Sequence, residues 1–290
     1  MADQVLVTLD GAVRDADAPL LRADDLAAVR GDGIFETILV RDGAACVVER
    51  HLSRFANSAS MLDLPRPDLA AWRSAIAIAL GEWGAEREGA MRLVLSRGRE
   101  SGGGPTAYVS VGPVADRVAV ARRDGVSVCT LDRGFSVDVV EKAPWLLLGA
   151  KTLSYATNMA ALRYAQARDF DDVIFTSSEG RVLEGPRSTV LIARGRTLIT
   201  PPVEHGILPG TTQQALFEVA GAHRFRCEMA ALRPVDLIAA DGIWLLSSVT
   251  LAARVHTLDG LVLPVPAIAD ELSELVDLAV GTVGVEEDAA

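Results

Sequence analysis

The sequence predicts an α+β protein of two domains, and three observations carry that expectation. Strand-like and helix-like segments mix without the strict alternation of a doubly wound sheet. A polar, arginine-rich stretch from Asp116 to Asp124 separates two such mixed halves, giving expected domains 1–118 and 119–290. The 290 residues are 50% hydrophobic and 23% charged, enough to bury one large core or two smaller ones.

The expected elements follow in chain order. "QVLVTLDGAV", "IFETILV" and "AACVVER" are β-rich, and Arg41-Asp42-Gly43 is a turn signal that makes the last two a hairpin. "HLSRFANSASML" and "DLAAWRSAIAIALGEW" carry apolar residues at helical spacing. "MRLVLS" and "TAYVSV" return to strand character around "RGRESGGGP", whose Gly102 to Gly104 mark a mobile loop. Past the boundary stretch come strand "VSVCTL", helix "SYATNMAALRYAQAR", and strands "DVIFTS", "STVLIA" and "TLIT". Helix "TTQQALFEVAGA", strand "GIWLLSS", hairpin "ARVHTLDGLVL" and terminal helix "IADELSELVDLAV" complete the chain.

Composition excludes several classes of function. No apolar run approaches the roughly 20 residues of a membrane helix, and "MADQVLVTLDG" has no signal-peptide features, so a cytoplasmic location and no membrane partner are expected. Cys46, Cys129 and Cys227 are odd in number and far apart, and no H-x-x-x-H pair occurs among the four histidines, so neither a disulfide framework nor a metal site is expected. A net charge of −11 argues against nucleic acid as a partner.

One residue stands out chemically. Only Lys142 and Lys151 among the 28 basic residues are lysines, and Lys151 follows the apolar run Leu146-Leu147-Leu148-Gly149-Ala150. A guanidinium cannot be deprotonated near neutral pH. An amine in an apolar setting can, and then serves as nucleophile or base in Schiff-base chemistry. Lys151 either does this or snorkels at a helix start. Glu184, in the turn before Gly185-Pro186, is either a positioned carboxylate or part of a surface loop. A carboxylate can keep a pyridine nitrogen protonated and so make the ring an electron sink. In "HGILPGTTQQALFEVA", Thr211 and Thr212 open a helix after a Gly/Pro loop, which suits a phosphate or a simple threonine cap. Ser247, Ser248 and Thr250 add hydroxyls after a strand, and Arg54 in "ERHLSRF" adds a cation on a helix face or at the surface.

Taken jointly, these segments resemble the fold-type IV pyridoxal-phosphate enzymes, the class IV aminotransferase group that includes branched-chain and D-amino-acid aminotransferases and aminodeoxychorismate lyase. The resemblance runs through "DDLAAVRGDGIFETILVRDG", "ERHLSRF", "AKTLSYATNMAALRYA", "DDVIFTSSEGRVLEGPRSTVLI", "ILPGTTQQAL" and "SSVTLAARVHTLDG", nearly the whole chain. It implies pyridoxal 5'-phosphate as cofactor, a site between the two domains with the lysine on the C-terminal one, and a homodimer. By the same resemblance Lys151 would hold the cofactor and shuttle the proton, and Glu184 would pair with the pyridine nitrogen. Arg54, Thr211, Thr212 and Ser248 would bind the phosphate. Tyr155, one helical turn after Lys151, would face the phenolate oxygen, and Phe35 would line the substrate side. Two positions depart from the family pattern: Thr189 stands where asparagine is frequent, and Thr152-Leu153-Ser154-Tyr155 replaces the H-L-N-R of the better-known bacterial lyases.

"VLSRGRESGGGPTAY" resembles the corresponding stretch of aminodeoxychorismate lyases and implies Arg97 at a substrate carboxylate. The expected reaction is therefore conversion of 4-amino-4-deoxychorismate to 4-aminobenzoate and pyruvate, in folate biosynthesis. An amino-acid aminotransferase for branched-chain or D-amino acids, working with 2-oxoglutarate, is the alternative. A non-catalytic metabolite-binding protein that keeps the fold is the third reading.

Overall fold

The computed structural model describes residues 4–281. These fall into two compact units, residues 4–115 with Ala150–Tyr155, and Asp116–Gly149 with residues 156–281.

The first unit contains β1 (Val5–Thr8), β2 (Val13–Arg14), α1 (Leu26–Arg30), β3 (Gly33–Arg41), β4 (Ala44–Ala45), α2 (Val48–Met61), α3 (Leu69–Trp83), β5 (Gly89–Ser96) and β6 (Thr106–Pro113). Its strands form one antiparallel sheet in the order β2-β1-β6-β5-β3-β4. The expected turn is present: Asp42 and Gly43 both take positive φ (52° and 76°) between β3 and β4, as a two-residue type I′ hairpin requires. The rest of "AACVVER" is not a strand. After Ala45 the backbone turns through Val47 at φ 45° and enters α2, because His51, Leu52, Phe55, Ser58 and Ala59 recur at helical spacing and are all buried. Helix α1 escaped the sequence reading because it is one turn long and buries no residue. Asp25 caps its start by accepting the Ala27 N–H, and Gly31 closes it.

Strand alternation gives this sheet two unlike faces. Val7, Ile34, Ile38, Met91, Leu93, Val109 and Val111 point one way and are buried with Leu52 and Phe55 of α2 and Trp72, Ile76 and Trp83 of α3. Phe55 and Trp72 meet edge to face, ring centroids 4.8 Å apart. Each such side chain contributes roughly 1.5–3 kcal/mol by leaving water. The opposite face carries Phe35, Thr37, Arg92, Tyr108 and Ser110, none of them fully buried.

The second unit contains α4 (Asp116–Asp124), β7 (Val126–Asp132), α5 (Val139–Lys142), α6 (Ala156–Gln166), β8 (Asp172–Thr176), β9 (Thr189–Arg194), β10 (Thr197–Thr200), α7 (Thr211–Ala220), β11 (Arg226–Met229), α8 (Pro234–Ile238), β12 (Gly242–Ser247), β13 (Leu251–Leu258), β14 (Leu261–Val262) and α9 (Ala269–Gly281). The sheet runs β11-β10-β9-β12-β13-β7-β8, with β14 on β13. It is mixed: β10 with β11, β13 with β7, and β7 with β8 are parallel, while the other pairs are antiparallel. "DVIFT", "TVLIA" and "GIWLL" read as unbroken apolar runs because this sheet is covered on both faces. Val128, Ile174, Val190, Ile192, Ile243 and Leu245 belong to one core layer, and Cys129, Val173, Phe175 and Ala165 to another.

Two sequence expectations change here. The stretch read as a domain boundary, Asp116 to Asp124, opens the second unit as helix α4, with Val118 buried, an element the sequence reading did not include. The lysine segment was expected on the C-terminal domain, yet Ala150–Tyr155 belongs to the first unit. Its backbone pairs with β3: the Phe35 N–H donates to the Lys151 carbonyl (3.1 Å), the Leu153 N–H donates to the Gly33 carbonyl (2.8 Å), and Ile34 and Thr152 form an antiparallel bridge.

Candidate active site

The first unit places Lys151 at the edge of β3. Its peptide N–H donates to Ser58 Oγ of α2 at 3.1 Å, so both neighbouring elements hold its main chain. Gly33 makes the close pairing possible. A β-carbon there would lie 2.6 Å from the Leu95 carbonyl oxygen and 2.7 Å from Leu153 Cδ1, so no side chain fits at the end of "GDG".

The Lys151 ammonium nitrogen sits 4.5 Å from the centroid of the Phe35 ring and 5.9 Å from that of Tyr155, and the two rings meet edge to face at 5.4 Å. The aromatic setting thus comes from β3 and from Tyr155. The apolar run before the lysine does not supply it, since Trp145 and Leu146 are exposed. Tyr155 is close to Lys151, although not by helical spacing: α6 begins only at Ala156.

Behind Phe35 on the same strand, Glu36 points to the buried face. Its carboxylate takes Arg54 in a bidentate clasp, Nε to Oε1 and Nη2 to Oε2, both 2.7 Å, and His51 Nδ1 lies 2.7 Å from Oε2. Glu36 and His51 are fully buried. Burial pushes the Glu36 carboxyl up, but Arg54, and secondarily His51, outweigh it and bring the pKa down to about 2. Burial depresses the His51 imidazole, Glu36 opposes that shift, and the charges of Arg54 and Lys151 reinforce it. A neutral imidazole beside an acceptor-only carboxylate carries its proton on Nδ1 and donates it to Glu36. Arg54 therefore is no surface arginine; it is nearly buried and ordered by an ionised partner.

Arg97, expected at a substrate carboxylate, lies in the first unit among hydrogen-bond acceptors of the chain itself. Nε and Nη2 donate to Asp32, Nη2 also donates to the Leu62 carbonyl, and Nη1 donates to the Asp63 carbonyl. These four hydrogen bonds staple the entry of β3 to the exit of α2, which is a structural role. A different arginine faces the lysine's side of the sheet. Phe35, Val94 and Tyr108 are registered neighbours on β3, β5 and β6, so they share a face, and Arg92 lies two residues from Val94 on that face. Arg92 is exposed and close enough to Tyr108 to lower its phenol pKa, against a larger upward push from burial. The signal for Arg92 was in the sequence: it is the one charge in "MRLVLS", out of phase with Met91, Leu93 and Leu95.

In the second unit, Glu184 follows a short stretch paired to β8, with Phe175 donating to the Glu184 carbonyl and Leu183 to the Phe175 carbonyl. Its side chain is fixed by the Leu208 N–H, which donates to Oε2 at 3.1 Å. The Glu-Gly-Pro turn is therefore a partly buried, hydrogen-bonded element and no free surface loop. Thr211 and Thr212 are the first two residues of α7, and the cap position is Gly210, with no side-chain cap. That answers the simple threonine cap in the negative. A β-carbon at Gly210 would collide with Thr189 Oγ1, so Thr189 packs against the helix start. Thr212 is 2% exposed, and its hydroxyl has no hydrogen-bond partner among the described residues. A buried orphan hydroxyl on the first turn of a helix, whose N-terminal end favours anions, fits a phosphate. Ser248 lies just past β12, which packs on α7, in a connection that ends at Leu251 with φ 64°. For a bulky residue this left-handed backbone is strained.

Comparison with known proteins agrees with this geometry. A bifunctional aminodeoxychorismate lyase / D-amino acid transaminase of Mycobacterium tuberculosis is 58% identical over 285 residues, spanning 95% of this chain and 99% of that protein. A solved structure of a hypothetical aminotransferase from Mycobacterium tuberculosis in a PLP-bound form matches with TM-score 0.94 at 58% identity, over 96% of this chain and 99% of that one. The same description with alpha-ketoglutarate and PMP bound matches with TM-score 0.94 at 59% identity, over 95% and 98% of the two chains. The family described as amino-transferase class IV matches residues 33–258. With a lysine amine over an aromatic floor, a fixed carboxylate and a helix start suited to phosphate, this chain belongs to the class IV aminotransferase family.

Proposed function

We propose that the protein uses pyridoxal 5'-phosphate to convert 4-amino-4-deoxychorismate to 4-aminobenzoate and pyruvate, and that the same site transfers the amino group of D-amino acids to 2-oxoglutarate. The observation that carries this reading is the 58% identity, over almost the full length of both chains, to a protein named for both activities, joined to a lysine amine held over Phe35. Relatives named as enzymes and the match to the class IV aminotransferase family weigh against the non-catalytic reading.

When bound, the cofactor supplies an electron sink for bonds broken at the amine-bearing carbon of the substrate. Lys151 is the residue to hold its aldehyde, Glu184 its ring nitrogen, Tyr155 its phenolate oxygen, and Arg54, Thr211, Thr212 and Ser248 its phosphate. Once the substrate amine has taken its place at the aldehyde, the freed Lys151 Nζ would take the proton from the amine-bearing carbon. Elimination would break the C–O bond at the neighbouring carbon, the enolpyruvyl group leaving with the proton from Lys151 Nζ and ketonising to pyruvate while the ring becomes aromatic, which makes that outcome strongly downhill. In transamination Lys151 Nζ would instead return the proton on the cofactor side, the donor would leave as its oxo acid, and the amino group left with the cofactor would pass to 2-oxoglutarate by the same steps in reverse. Phe35 lines the substrate side. Arg92 and Tyr108, on the same face, provide a cation and a phenol for the second acidic group that both aminodeoxychorismate and 2-oxoglutarate carry. A cytoplasmic homodimer is part of the same reading, and exposed Trp145 and Leu146 suit contact with a second copy.

The test supplies the cofactor-loaded protein with aminodeoxychorismate, and separately with D- or L-amino acids and 2-oxoglutarate. Pyruvate and 4-aminobenzoate from the first, and oxo acid from D-amino acids only in the second, are expected. Turnover of amino acids with no pyruvate from aminodeoxychorismate removes the lyase assignment.

A further inference from the structure

One stripe of α2 carries an unusual set of polar groups. His51, Arg54 and Ser58 follow at helical spacing: Ser58 holds the Lys151 peptide, while His51 and Arg54 converge on Glu36 from β3. Glu36 is a fully buried carboxylate bearing three hydrogen bonds. For stability alone, a buried ion pair is often no better than well-packed apolar side chains of the same volume. Glu36 is also adjacent in sequence to Phe35, whose ring underlies the Lys151 amine. A charge this costly to bury, placed between the lysine's aromatic floor and an arginine, points to a role in the site.

We infer that Glu36, steadied by His51, is a positioning residue for the cofactor phosphate and acts by fixing the plane of the Arg54 guanidinium. The inference rests on Arg54 being a phosphate ligand, as in the proposed function. The clasp takes the edge formed by Nε and one hydrogen of Nη2, which turns Nη1 and the outer Nη2 hydrogen away from Glu36 in a set orientation. A guanidinium locked in this way meets a phosphate without first losing rotamer freedom, which strengthens binding by preorganisation. His51 contributes by donating from Nδ1, which keeps Oε2 of Glu36 in the plane the clasp needs.

The measurement is the dissociation constant of the apoprotein for pyridoxal phosphate and for pyridoxal, which lacks the phosphate, taken by absorbance titration. The ratio of the pyridoxal constant to the pyridoxal phosphate constant isolates what the phosphate contributes and falls as that contribution is lost. Glu36→Gln is expected to weaken pyridoxal phosphate roughly tenfold or more and to leave pyridoxal unchanged. Glu36→Asp keeps the charge on a stem too short to bridge both guanidinium nitrogens. It must lower the ratio as well, so the inference stays testable if Glu36→Gln does not fold. His51→Asn, which retains a donor, should keep the ratio, and His51→Leu should lower it. Arg54→Met serves as reference. If it leaves the ratio unchanged, Arg54 is no phosphate ligand and the proposed site is at fault. If Arg54→Met lowers the ratio and both Glu36 variants do not, or if the Glu36 variants weaken pyridoxal equally, the positioning role is overturned.

Discussion

Lys151 owes its position to its main chain: hydrogen bonds from Phe35 and to Ser58 fix the backbone, and the side chain then reaches over the Phe35 ring. Arginine at this position would keep the positive charge and the cation–π contact, worth about 0.5–2 kcal/mol, and lose the amine. Lys151→Arg is therefore expected to fold normally and to lose turnover by at least roughly 10²–10⁴-fold, with borohydride reduction leaving no pyridoxyl group on the chain. Wild-type-like turnover in this variant would remove Lys151 from the chemistry. The sequence singles out this lysine because the chemistry proposed for it excludes substitutes. For Arg97 the motif could not say which of its donors Asp32 and two carbonyls engage, because those partners come from β3's entry and α2's exit, far away in sequence.

Among elements, α3 shows what sequence can read. Asp68 accepts the N–H groups of both Ala70 and Ala71 at the start of an apolar-periodic run. Asp68→Ala is expected to lower stability by about 0.5–2 kcal/mol, seen as an earlier urea midpoint with unchanged cofactor affinity. Asp42-Gly43 and Asp259-Gly260 were equally plain, since each pair of positive φ values sits where an Asp-Gly turn joins two paired strands. The start of α2 was not. Cys46-Val47-Val48 is locally β-like, and only the burial of His51 and Phe55 against β3 makes the following residues helical. The same limit hid the Glu36–His51–Arg54 cluster. Its members are 15 and 18 residues apart from the carboxylate, and their meeting depends on the register of β3 against α2.

For the molecule as a whole, those buried groups predict a loss of stability in acid. Glu36 is held at about 2, below its ordinary 4.5, so the unfolded chain takes up a proton that the folded one resists as pH falls between these values. His51 is lowered from 6.5, and the same sign applies: its contribution is complete above 6.5 and is withdrawn as pH falls below it. Unfolding free energy measured by urea at stepped pH should therefore decline from about pH 6.5 downward and steepen below about 4.5. The Glu36 share, on the order of 3 kcal/mol, should be absent in Glu36→Gln. A profile flat to pH 3 would contradict the ionised, clasped carboxylate.

The lysine segment also bears on how the chain can be made or divided. Synthesis from the N-terminus delivers β3 more than a hundred residues before Ala150–Tyr155, the piece that pairs with its edge. Until that piece emerges, part of β3 presents open N–H and C=O groups, a template for unwanted pairing. A gene cut at the visible boundary near residue 118 would yield a first fragment with that seam unstitched. The smallest contiguous stretch that closes it runs through Tyr155 and brings α4, β7 and α5 along unpaired from the rest of their own sheet and core.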